Sequence, residues 1–187
     1  IDVDFAVMAT HGYGAFRRFL VGSTTAKLIH DLSCPILTGV HLADHPPFRS
    51  GLYKTVVCTL GLQELAHSEQ VLRWAADFAQ EWSAKLHVVH VPPAIEWSAA
   101  EWFPPHTQEL IRTASRERLG KLIAEVGCDA ELHVDGLEPI SYVNEVIEGI
   151  NADVLVVGRS VGHGALGGPR TNAYAMIREA RCPVISV

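Results

Sequence analysis

Short apolar runs alternate along the chain with longer stretches whose apolar positions recur every three or four residues. Residues 54–60 (KTVVCTL), 85–91 (KLHVVHV), 130–135 (AELHVD), 153–158 and 183–187 read as strands. Between them, 64–82 carries Val71, Leu72, Ala75, Phe78, Ala79 and Trp82 at helical spacing, and 107–127 carries Ile111, Ala114, Leu122 and Val126. A third helix starts near Pro139, whose missing N–H suits a first turn, and bears Val143, Val146, Ile147 and Ile150; a fourth covers about 171–181. The strands are almost continuously apolar and alternate with helices. This predicts an α/β fold with a five-stranded parallel sheet covered by helices on both faces. The proline- and aromatic-rich stretch 92–105 is expected to be a loop, with Trp97, Trp102 and Phe103 either capping a core edge or meeting a partner.

The two ends of the chain repeat one another. Residues 4–40 (DFAVMATHGYGAFRRFLVGSTTAKLIHDLSCPILTGV) share an outline with 153–187 (DVLVVGRSVGHGALGGPRTNAYAMIREARCPVISV): a leading aspartate, a buried run, a glycine-bearing loop, a short helical pattern, then Cys-Pro and a last apolar strand. Asp153 follows Asp4 by 149 residues and Cys182 follows Cys34 by 148, so the second loop is one residue shorter. We therefore expect residues 1–40 to be the carboxyl-terminal strand–helix–strand of one domain, 41–51 (HLADHPPFRSG) a linker, and 52–187 a complete second domain. A partial copy by itself exposes sheet faces and an unpaired edge. The expected explanation is a tandem protein whose first domain is truncated on its amino-terminal side; the alternative is docking of 1–40 on another copy of the chain.

The stretch VMATHGYGAFRRFLVGSTTAKLIHDLSCPIL, with Gly12, nine intervening residues and Gly22-Ser23, resembles the signature of the universal stress protein family, and 52–187 resembles a whole domain of it. Nucleotide-binding members of that family show G-x-x-G, nine residues, then G-[ST]; here Ala9 stands in place of the leading glycine. The resemblance implies a Rossmann-like, adenine nucleotide alpha hydrolase-like fold and adenine-nucleotide binding, with ATP as the expected ligand of the first repeat. Its implied binding residues are Ala9, Thr10, His11, Gly12, Gly14, Gly22, Ser23 and Thr24. The chemistry is reasonable: glycines let backbone N–H groups converge on an anion, and a hydroxyl at a helix start joins N–H groups whose dipole favours negative charge by about 0.3–1 kcal/mol. Arg17 and Arg18 either meet the phosphates or lie on a solvated surface.

The second copy departs from that pattern. Aligned back from Cys-Pro, Arg170-Thr171 replaces Gly22-Ser23, and Pro169 removes an N–H donor. Binding members usually carry an acidic residue at the end of the first strand, where this chain has Leu60. The second site is expected to bind nucleotide weakly or not at all, with Gly158, Gly162, Gly164, Arg170 and Thr171 as its remaining candidates.

Composition narrows the classes. A formal charge of −6 without basic blocks argues against nucleic acid as main partner. No apolar run approaches the roughly 20 residues that cross a bilayer, and no leader pattern is seen, so a cytoplasmic protein with no membrane partner is expected. The four cysteines show no CxxC spacing and are expected to be small buried residues. His87 and His90 are three apart on a strand, hence on opposite faces, and do not make a metal pair. No catalytic residues are identified, so the expectation is a non-enzymatic regulatory protein, with slow ATP hydrolysis left open. Its contacts are expected through a homo- or pseudo-dimer of terminal strands 35–40 and 183–187; the alternative function is a nucleotide-free dimerising scaffold.

Overall fold

The computed structural model describes residues 3–9, 27, 29, 31–39, 53–93, 104, 106–159 and 171–187. In chain order the elements are β1 (Ala6–Ala9), β2 (Ile36–Gly39), β3 (Thr55–Thr59), α1 (Leu65–Glu81), β4 (Lys85–His90), α2 (Thr107–Val126), β5 (Ala130–Val134), α3 (Pro139–Ile150), β6 (Val154–Val157), α4 (Thr171–Glu179) and β7 (Val184–Ser186). The strands form one sheet in the order β1-β2-β7-β6-β3-β4-β5. From β7 to β5 all neighbours run parallel, as expected of strands joined by helical crossovers.

Alternate strand residues face opposite layers. Val56, Cys58, Val88, Val134 and Val156 pack with Val71, Leu72 and Ala75 of α1 and with Leu119 and Leu122 of α2. Val57, Val89, Leu155 and Val157 pack with Val143 and Ile147 of α3 and with Met176 and Ile177 of α4. Beyond the first layer, Tyr53, Trp74, Phe78 and Trp82 form an aromatic cluster, with Tyr53 5.2 Å from Phe78 and 5.1 Å from Trp82 between ring centroids. The stripe of α2 is shifted from the expected one: Ser115, Leu119 and Leu122 are buried, whereas Ala114 faces solvent. Methyl groups carry little weight in choosing a helix face, and Leu119 outweighs Ala114. Pro139 occupies the first turn of α3, and the Glu138 carboxylate caps it by accepting from the N–H groups of Ile140 and Ser141.

The repeated ends adopt equivalent geometry. Ala6 pairs with Ile36 and Leu155 with Val184, the partner in each case being the residue directly after a Cys-Pro. The same hydrogen bond recurs in each copy, Ala6 N–H to the Pro35 carbonyl and Leu155 N–H to the Pro183 carbonyl, both 2.9 Å. At the seam β2 and β7 run antiparallel, Leu37 opposite its repeat counterpart Ile185, Ile36 opposite Ser186 and Thr38 opposite Val184. A local pseudo-two-fold axis therefore passes between Leu37 and Ile185, and the inner edge of the amino-terminal unit is paired within the chain. The seam has a side-chain bond as well, from the Thr38 hydroxyl to the Val184 carbonyl at 3.1 Å. Asp153, at the start of β6, accepts from the backbone N–H groups of Lys54 and Thr55 and so ties the bottoms of the central strands together.

The four cysteines are free, and Cys34, Cys58 and Cys182 are buried. Burial pushes the thiol of Cys58 up in pKa and that of Cys182 to about 12, so both remain neutral packing groups.

Candidate functional site

In an open parallel sheet, a crevice forms outside the carboxyl ends of strands where successive crossovers leave in opposite directions. Here that place is β3, flanked by β4 on one side and β6 on the other. A cavity of about 250 Å³ opens there. Its floor comes from Thr59 at the end of β3 and the following Leu60, Val89 and His90 of β4, and Val157 at the end of β6 with the following Gly158, while the starts of α1 and α3 and the side of α4 form its walls.

The Leu60 peptide is held at both ends by β4. Its N–H donates to the Val89 carbonyl at 3.1 Å, and its carbonyl accepts from His90 Nδ1 at 2.8 Å. The leucine side chain is buried in the α1/α2 core. It stands near the position where the resemblance implies an acidic residue.

His90 is buried, and because Nδ1–H donates to a carbonyl, the neutral ring leaves a lone pair on Nε2. That Nε2 atom and Nε2 of His67 are buried without a hydrogen-bond partner among the described residues. Burial lowers the pKa of His90, the bond to the Leu60 carbonyl opposes that shift, and Arg118 adds to it. Glu64 is the single charged side chain among the described lining residues. Among the described lining residues, the charged and unpartnered groups are thus one carboxylate and two buried imidazole nitrogens, and none is a lysine or arginine that could meet a phosphate.

Gly158 ends β6 where a side chain would not fit. A Cβ there would lie 2.6 Å from His67 Nε2 and 2.8 Å from Val71 Cγ2, so the glycine serves the close approach of β6 to α1. The next residue, Arg159, turns away from the crevice. Nη1 donates to the carbonyls of Ile29 and Leu32 at 2.9 and 2.8 Å, and Nη2 donates to that of Cys34 at 2.7 Å. A cation beside the glycine-bearing loop is thereby committed to the amino-terminal unit.

Of the residues expected at the first site, Ala9 is the last residue of β1, paired with Gly39. Thr10, His11, Gly12, Gly14, Gly22, Ser23 and Thr24 lie outside the described residues, as do Gly162, Gly164 and Arg170 of the second loop and the aromatic stretch with Trp97, Trp102 and Phe103. Thr171 opens α4. Sequence reading missed His67 and His90 as cavity residues. The available signal was position: His90 ends β4, and His67 lies in the first turn of α1, the helix that follows β3.

A family model described as Universal stress protein family matches residues 1–38 and 53–187. Universal stress protein G of Escherichia coli O157:H7 is 28% identical over 145 residues, covering 73% of this chain and 99% of that protein. Among solved structures, a putative universal stress protein from Pseudomonas aeruginosa UCBPP-PA14 superposes with a TM-score of 0.71 at 17% identity, over 98% of this chain. This chain spans 63% of that one. A universal stress protein from Archaeoglobus fulgidus, solved in complex with dAMP, superposes with a TM-score of 0.52 at 22% identity, over 72% of this chain and 98% of that one. At these identities the structural likenesses establish the fold.

Proposed function

Because the chain belongs to the Universal stress protein family, we propose that it is a non-enzymatic, nucleotide-responsive protein of tandem type in which only the first repeat binds an adenine nucleotide, ATP being the expected one. In this reading, residues 1–40 are the carboxyl-terminal part of the first domain, 41–51 a linker and 52–187 the second domain, acting in the cytoplasm. Ala9, Thr10, His11, Gly12, Gly14, Gly22, Ser23 and Thr24 bind the nucleotide, and occupancy biases contacts made across the β2–β7 seam or by a homodimer.

The observation that carries the reading is the asymmetry of the two copies. The first keeps Gly12, nine residues and Gly22-Ser23. In the second, Leu60 is packed where an acid would serve, Glu64 is the lone charge among the described lining residues, and Arg159 is spent on three carbonyls. The dAMP complex of the Archaeoglobus fulgidus relative supports an adenine nucleotide as the ligand class.

Calorimetric titration of the full-length protein with ATP tests this. One site is expected, weakened by at least about tenfold, or about 1.4 kcal/mol, in Gly22→Asp, with no sustained phosphate release. Unaltered affinity in that variant would move the site elsewhere. The continuous seam favours a second reading, a nucleotide-free scaffold, for which titration heat is absent in both proteins.

A further inference from the structure

At the far edge of the sheet from the seam, β5 brings together side chains that the crevice does not use. The β4–β5 register sets His87 opposite Glu131, and His133 lies two residues farther along β5, on the same face. His87 Nδ1 is 3.0 Å from His133 Nε2, Glu131 Oε2 lies 3.7 Å from the first, and Glu131 Oε1 lies 3.8 Å from the second. Among the described residues these three form a group whose possible ligand atoms all fall within 4.8 Å of one another.

We propose that His87, Glu131 and His133 form a binding site for a divalent transition metal of the zinc type. Nitrogen and oxygen ligands held about 2.0–2.2 Å from zinc in tetrahedral directions stand roughly 3.3–3.6 Å apart. The imidazole nitrogens stand slightly closer than that range and each nearest Glu131 oxygen slightly beyond it; because those are two different oxygens, binding through one of them also requires the exposed carboxylate to rotate, from ligand-atom separations of at most 4.8 Å. Two imidazoles and one carboxylate are a borderline donor set, which selects zinc, cobalt, nickel or copper over calcium or magnesium. Three protein ligands leave a coordination position for water.

Burial divides the roles. The His87 side chain is 7% exposed and fixed between strands, His133 is 20% exposed, and Glu131 is 70% exposed and opens the site to solvent. In the unmetallated pair one imidazole must donate to the other; a metal ion replaces that proton. Desolvation lowers the pKa of His87, which favours the neutral ligand form, with Glu131 opposing and His133 and Lys85 adding to the shift. Lys85 is the nearby cation that works against metal binding and limits affinity.

The test uses the full chain, freed of metal by chelation, in a non-coordinating buffer. Calorimetric titration with Zn²⁺ is expected to give one saturable site per chain, and Co²⁺ is expected to develop the strong visible bands of low-coordinate cobalt. His133→Asn and Glu131→Gln, both on accessible side chains, are expected to weaken Zn²⁺ at least tenfold and to remove the cobalt bands, while circular dichroism stays unchanged. His87→Asn should do the same, though its buried position makes the other two decisive. A chain that shows no saturable binding, or whose binding and cobalt spectrum survive in His133→Asn and Glu131→Gln, overturns the assignment; the latter outcome would trace the metal to other histidines.

Discussion

Replacing Arg159 with methionine removes the guanidinium and keeps most of the aliphatic stem. The lost group donates three hydrogen bonds, to the carbonyls of Ile29, Leu32 and Cys34. Ile29 and Cys34 are buried and Leu32 half-buried, so water reaches the abandoned acceptors poorly. Bonds to a charged donor contribute about 1.5–3 kcal/mol each by mutation; because one side chain makes all three and one acceptor is partly wet, about 1 kcal/mol apiece is the safer figure. The expected destabilisation is about 3 kcal/mol, which for a chain of this size lowers Tm by roughly 6–12 °C. Urea unfolding followed by circular dichroism measures the total. Hydrogen exchange locates it: β1 and β2 should lose protection more than β3, β4 and β5, since Arg159 ties the carboxyl ends of the central sheet to the amino-terminal unit. Arg159→Lys, with a single ammonium, should fall in between. Burial draws the guanidinium pKa down, yet an arginine remains charged in any ordinary buffer, so the loss should not vary between about pH 6 and pH 8. A loss under about 1 kcal/mol, or protection reduced evenly over all strands, would refute the idea that this guanidinium holds the two units together.

Two further outcomes follow from the crevice. Gly158→Ala should cost about 1–3 kcal/mol by overpacking against His67 and Val71, and His67→Ala should relieve part of that cost; equal penalties in both backgrounds would place the conflict on Val71 alone. His90 supplies a pH dependence. Its folded pKa is lowered by burial below the ordinary 6.5, so the unfolded chain binds the proton more readily. The stability it contributes is complete above about pH 6.5 and declines as pH falls below that value. The urea midpoint of the wild type should therefore drop more steeply from pH 7.5 to pH 5 than that of His90→Gln, with the remainder assigned to His87, which is shifted in the same direction. Identical slopes would show that His90 is not held neutral.

Much of the fold was legible in the order of residues because strands buried on both faces and helices buried on one leave different periods. The runs at 54–60, 85–91 and 130–135 became β3, β4 and β5, and the stripe from Val71 to Ala79 became the buried face of α1. Where side chains are small the period carries less information, which is why Ala114 was read one position away from the face that Ser115 and Leu119 bury. The crevice was legible in part: Leu60 could be seen to stand where an acid was expected, but not that its peptide is clamped by His90, since the two are thirty residues apart in sequence.

The sequence by itself determined the alternation of elements, the duplicated Cys-Pro units and the family, because each of these is written in local spacing. Tertiary structure decided what spacing cannot encode. His87 meets His133, and not His90, because strand register brings positions 46 residues apart to one face. Arg159 donates to carbonyls more than a hundred residues earlier, and Leu37 finds Ile185 across an antiparallel seam. Such contacts depend on which edges and end groups remain unsatisfied once the helices and strands have formed, and packing in three dimensions settles that choice.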